Sequence, residues 1–220
     1  MFGRLSFVQG DAARIDDLIT YVREVVKPAT DELDGNHGLG MWVGRDTGDA
    51  LVMTVWRDAA ALTASEQAVV KLRDDAAGIV GGKSVVERHE IGLREVTIPH
   101  QPGFGMRLVQ IQSSPATLDD DVAWAAANVV PAARSQDGFV SYILGIDRSA
   151  GTGIAMTTYR DLASMRAANA AAAKIRDMAI QRGVSVRGLH EYEVAIVGIR
   201  VPIPAQRNVD LTAAEERAKR

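Results

Sequence analysis

Hydrophobic positions along the chain change period in a regular order. Residues 3–9 read as a strand. After Asp11, Ile15, Leu18, Ile19, Val22, Val25, Val26 and Ala29 recur at helical spacing. Leu39, Met41 and Val43 then alternate as a second strand, Gly48 marks a hairpin turn, and Leu51 to Trp56 form a third. A second helix with Leu62, Ala68, Val69, Leu72 and Ala76 on one face follows, and a fourth strand covers about 84–96.

The same order recurs further on. Shifted by 103 positions, residues 4–74 fall on 107–177 without a gap, and 23 of the 71 pairs are identical. Chance alone gives roughly 6–8%. The identities include structural punctuation: Pro28 with Pro131, Asp34-Gly35 with Asp137-Gly138, Arg57-Asp58 with Arg160-Asp161. Beyond this the shift becomes 101, and His89-Glu90 fall on His190-Glu191. In the second copy Leu118, Val122, Ala125, Ala126, Val129 and Ala133 carry the first helix, with Ser114-Pro115 as its expected start. Tyr142, Leu144 and Ile146 carry strand two, and Met165, Ala171, Ala172, Ile175 and Ala179 the second helix over 162–182. Pro28 and Pro131 fall late in the first helices and predict a kink or an end there. Asp58 and Asp161 stand at helix N-caps.

Each copy is thus βαββαβ, a ferredoxin-like unit with both helices on one sheet face. The expected fold class is α+β: two such units in tandem, forming an intramolecular dimeric α/β barrel. Neither face of strand three is strongly polar, so each unit has a bare apolar sheet face that its sibling can cover. The expected division is a first unit over 1–98, a Pro- and Gly-rich linker over 99–104, a second unit over 105–200, and a tail over 201–220 with a short helix opened by Thr212.

Bulk properties narrow the partners. A net charge of −3 with no basic stripe argues against nucleic acid. No apolar run reaches membrane-span length, and the first residues lack a signal-peptide pattern, so a cytoplasmic protein is the simplest reading. With no cysteine there is no disulfide and no thiolate chemistry. The stretch GIVGGKS over 78–84 fails as a phosphate loop, because Ala77 stands where the motif needs Gly and the stretch leaves a helix for a strand.

The βαββαβ order, the glycine before strand two (Gly35, Gly138) and an aromatic-x-Asp opening the second helix (Trp56-Arg57-Asp58, Tyr159-Arg160-Asp161) resemble the antibiotic-biosynthesis-monooxygenase-like family of the dimeric α/β-barrel superfamily. The resemblance covers nearly the whole chain. It implies a pocket between sheet and helices in each unit, and an enzyme that oxidises an apolar aromatic substrate without metal or flavin. One branch of the family handles haem with an Asn in strand one and a Trp and a His on the second helix. None of these is present here, which disfavours haem.

Alternation in strand four puts His89 with Ile91 and Leu93, and His190 with Tyr192 and Val194, on a mainly apolar face. On the family reading His89, His190 and His37 are the candidate catalytic bases, since imidazole titrates near neutral pH. Trp42, Trp56, Tyr159, Tyr142 and Asn36 are the candidate substrate contacts. No metal site and no cofactor are expected, the partner is a small hydrophobic or aromatic molecule, and the internal pseudo-dimer leaves room for a further homodimer. The alternatives are plain: the two strand-four histidines recur because the gene was repeated, the aromatic residues pack the core, and the chain is a non-catalytic, ligand-sequestering or stress-associated barrel. A closed pocket of roughly 300 Å³ or more with a histidine nitrogen facing in would favour the enzyme.

Overall fold

The computed structural model describes residues 1–200, and the expected tail helix lies outside the described residues. The first half runs β1 Phe2–Gln9, α1 Ile15–Tyr21, α2 Lys27–Asp31, β2 Asn36–Gly44, β3 Asp49–Trp56, α3 Ala59–Ala64, α4 Glu66–Ile79 and β4 Lys83–Val96. The second repeats it: β5 Gly105–Gln112, α5 Leu118–Trp124, α6 Val130–Arg134, β6 Phe139–Asp147, β7 Thr152–Tyr159, α7 Leu162–Ala167, α8 Asn169–Gln181 and β8 Ser185–Ile196.

The eight strands close into one antiparallel barrel in the order β1-β3-β2-β8-β5-β7-β6-β4. Two seams join the halves. Along one, β4 pairs with β6 from Glu90↔Ile146 to Val96↔Ser141. Along the other, shorter seam, β2 meets β8 at Met41↔Ile196, Trp42↔Val194 and Val43↔Glu193. Closure leaves no unpaired sheet edge. The bare faces meet inside, where Leu5, Leu51, Met53 and Val55 pack in one cluster with Met106, Leu108, Ile154 and Met156. The helices cover the outer faces, α1 over Leu39, Met41 and Val43, and α5 over Tyr142, Leu144 and Ile146.

Local signals account for most boundaries. Asp58 Oδ1 accepts from Ala61 N at 2.8 Å and Asp161 Oδ1 from Ser164 N at 2.6 Å, each satisfying an orphan donor of a first helical turn. Gly35 and Gly138 turn into strand two at φ 75° and 78°. A side chain there would also meet Ala61 Cβ at 2.6 Å or Ser164 Cβ at 2.7 Å.

Five expectations need correction. The prolines do not end their helices. A π-helical turn, Val22–Val26 and again Ala125–Val129, precedes each proline and carries the helix across it. The wider turn rotates the following residues, so Val25 and Ala126 are exposed while Thr30 and Val130 are buried. The second helix is two helices in each half, α3 and α4, then α7 and α8, broken after Ala64 and Ala167. Helix α5 starts at Leu118 rather than at Pro115, and Ser114 Oγ instead accepts from Ala116 N at 3.3 Å in the preceding turn. Finally, a bulge at Gly92 flips β4, so Ile91 packs inside the barrel with His89 while Leu93 packs outside under α5.

Candidate functional site

The candidate residues fall in three places. His89, His190 and Trp42 point into the barrel, since they share strand parity with Leu5, Leu108 and Leu51. His89 is buried with Nε2 2.9 Å from Glu87 Oε2, and Gln110 Nε2 donates to Glu87 Oε1 at 3.2 Å. The His190 ring stacks on Tyr192 at 5.9 Å. With Glu87, Gln110 and Tyr192, His190 lines an open space of about 460 Å³ at one end of the barrel. Trp42 lies at the opposite end beside a space of about 350 Å³ that Arg94 and His100 also line. There the linker passes over the barrel, His100 Nε2 sits 2.8 Å from Ser141 Oγ, and burial followed by the nearby Arg94 pushes His100 down to about 4. Asn36 and His37 open β2 at a bulge, where Asn36 Oδ1 accepts from Gly38 N at 2.7 Å.

Trp56, Tyr159 and Tyr142 face outward, toward the helices. Trp56 is fully buried in the first half, and its indole N–H donates to Thr54 Oγ1 at 2.9 Å. Tyr159 and Tyr142 line a cavity of about 100 Å³ between the second half's sheet and its helices. Its walls are otherwise mainly aliphatic, among them Leu118, Val122, Val129 and Ile175. Tyr159 donates to Gln136 Oε1 at 2.7 Å. Burial raises both phenols, only partly offset at Tyr159 by Arg107, so both are protonated hydrogen-bond donors at neutral pH. At about 100 Å³, and with no histidine among its described lining residues, this cavity does not meet the expectation of a closed pocket of roughly 300 Å³ with a histidine nitrogen facing in; the spaces of that size are those lined by His100 and by His190 at the barrel ends.

The equivalent cavity of the first half is about 40 Å³. The repeat explains the difference residue by residue. Val22, Thr30, Val52 and Val69 of the first half correspond to Ala125, Ala133, Ala155 and Ala172, all trimmed around the larger cavity. Leu33, which packs against Trp56, corresponds to Gln136, which holds the Tyr159 hydroxyl. Helix α4 buries Val69, Ala76 and Ala77, whereas α8 has no fully buried residue. The second half is therefore the one with room, and its lid is the more loosely seated.

Two residues outside the sequence-based candidates dominate the polar chemistry. Arg4 and Arg107 are matched residues of β1 and β5, each with a side chain 3% exposed. Each sends Nη2 to the last turn of the short helix above it, Arg4 to Leu62 O and Arg107 to Met165 O, both at 2.6 Å. Each guanidinium lies over its half's aromatic, Arg4 at 5.4 Å from the Trp56 ring and Arg107 at 5.8 Å from that of Tyr159. Their signal in sequence was a single charge inside an otherwise uncharged strand, identical in both copies.

No family model matches the chain. Two uncharacterized proteins of Mycobacterium tuberculosis strain H37Rv are similar over their length. One is 28% identical over 204 residues, covering 92% of this chain and 86% of the relative. The other is 27% identical over 203 residues, covering 92% and 91%. Among solved structures, an anthrone oxidase-like protein superposes with a TM-score of 0.62 at 14% identity, covering 93% of this chain and 95% of the other. A candidate monooxygenase of Fusobacterium nucleatum gives 0.62 at 15% identity, covering 93% and 94%. The fold is that of a tandem dimeric α/β barrel. Within this barrel no helix among the described residues is long and apolar enough to cross a membrane, and no group of three His, Asp or Glu side chains is placed to hold a metal ion.

Proposed function

We propose that this barrel is a monooxygenase-like enzyme that oxidises a flat, apolar aromatic molecule in the second half's cavity without metal or flavin. The reading is supported above all by that cavity: set between sheet and helices, walled mainly by aliphatic side chains with two phenols, and present in only residual form in the other half. Likeness in fold to an anthrone oxidase-like protein points the same way by analogy. For an anthrone-type substrate the balance is direct. Dioxygen places one oxygen atom on the ring methylene carbon as a new carbonyl, and the other leaves as water with the two methylene hydrogens.

An oxygen electrode tests this with the full chain and anthrone or a quinol. Uptake above the rate without protein is expected, together with a fall of about tenfold or more in Tyr159→Phe if the phenol donates to the reacting substrate. A base role for His89 or His190 requires the substrate inside the barrel. Uptake unchanged in His89→Gln and His190→Gln assigns the chemistry to the cavity; loss in either moves it to the barrel interior.

The second reading is a non-catalytic carrier for the same class of molecule. It is favoured by the lack of a histidine among the cavity's described lining residues. Tight binding without oxygen uptake would decide for it.

A further inference from the structure

We infer that the second half's cavity takes an aromatic ligand bearing an anionic oxygen, a carboxylate or an enolate, held against the guanidinium of Arg107. The inference rests on the cavity being the ligand site and adds the chemical class of the ligand.

The duplicated chain supplies its own control. In the first half Arg4 is fully answered on one side: Nη2 reaches Ser65 Oγ at 3.0 Å and Glu66 Oε2 at 3.0 Å besides Leu62 O. Glu66 sets a carboxylate against the buried cation at contact distance, shared with Arg73 at 3.1 Å and Arg88 at 2.9 Å. At the two matching positions the second half has Ala168 and Asn169. Asn169 Oδ1 still accepts from Arg107 Nη2, so the arginine keeps its orientation. It has lost its contact counter-charge. The nearest carboxylate, Glu191, is 3.7 Å from Arg107 and is shared with Arg166 at 3.8 Å. The carboxylate on the cavity's far side, Asp121, is tied to Ser113 and lies 3.7 Å from Arg182.

A buried cation without a contact anion is costly in a low-dielectric wall. Among the described residues, Arg107 Nε and Nη1 are buried and have no hydrogen-bond partner, and the same holds for Arg4 Nε and Nη1, so the halves differ in the lost Glu66 carboxylate and in the larger cavity rather than in these atoms. Those of Arg107 belong to a residue that lines a mainly aliphatic cavity, beside Tyr159, whose hydroxyl donates to Gln136. An anionic oxygen entering there would gain charge-assisted hydrogen bonds and neutralise the guanidinium, and the aromatic body of the ligand would cover the aliphatic walls. A neutral ligand of the same shape would gain only the second of these.

Calorimetric titration of the full chain with 2-naphthoate and with its uncharged isostere 2-naphthamide at neutral pH tests the inference. The naphthoate is expected to bind at least about tenfold more tightly. Asn169→Glu, which rebuilds the first half's ion pair around an intact arginine, should erase that preference while leaving amide binding in place; Asn169→Gln should keep it. Arg107→Met should also erase it, in a sample whose circular dichroism and thermal midpoint show that it folds. Equal affinity for acid and amide overturns the inference, as does an unchanged preference in Asn169→Glu. Binding of neither compound overturns the inference and the cavity reading together. A preference for the acid with no oxygen uptake upholds the inference and overturns only the oxidation.

Discussion

The two halves share a fold and differ in their interiors. In the first, valines and a threonine fill the space under the helices, and Arg4 is matched by Glu66. In the second, alanines open it, α8 sits with no fully buried residue, and Arg107 faces an asparagine. The positions that make the turns and caps are the same in both: Pro28 and Pro131, Gly35 and Gly138, Asp58 and Asp161. Valine-to-alanine changes on a cavity wall, with these turn and cap residues kept, are how a scaffold half and a working half would separate.

The largest test of this contrast is packing. Trp56→Ala should lower the unfolding free energy by about 3–5 kcal/mol, because a fully enclosed ring leaves a void that cannot collapse. Tyr159→Ala, beside existing open space, should cost at least about 1 kcal/mol less, since its surroundings are freer to relax. Urea unfolding of both variants decides it, and equal losses would mean that the halves are packed alike. Next come the shared caps. Asp58→Ala and Asp161→Ala should each cost about 1 kcal/mol, and a clear inequality would show that the helix starts are not equivalent. A smaller gain is expected on giving the second half the first half's residue. Ala172→Val should stabilise by about 1 kcal/mol or less while weakening 2-naphthoate binding, and unaffected binding would place the ligand elsewhere.

A pH-dependent effect belongs to the linker, which has no counterpart in the repeat. His100, pushed down to about 4 by burial and then Arg94, stays neutral in the fold while an ordinary histidine titrates near 6.5. Between these values the unfolded chain takes up a proton that the folded chain refuses. Stability is therefore full above about pH 6.5 and falls as pH drops toward 4. His100→Asn should flatten the difference between urea midpoints at neutral and mildly acidic pH, and an unaltered slope would remove His100 as its source.

Much of this architecture was readable from local pattern. The repeat, the strand and helix periods, the caps and the covered sheet faces follow from residues close together in the chain. What escaped needed distant information. The alternation placed His89 and His190 on one face of strand four, but whether that face looks into the barrel or toward the helices depends on register with β1 and β5. The π turns before Pro28 and Pro131 rotated Val25 and Ala126 out of the core, a shift that a fixed 3.6-residue period cannot show. The bulge at Gly92 separated Leu93 from His89 in the same way. Arg107 escaped because its meaning lies in the change from Glu66 to Asn169, sixty-two residues along the chain from it.

Joining the halves through one covalent connection has an evolutionary consequence. In an assembly of two identical chains every mutation lands twice, so a change that improves one site alters both and a change that ruins one ruins both. Here each codon acts once. One side of the ring can keep it closed while the other explores new ligands, and Val69 opposite Ala172 is a trace of that freedom.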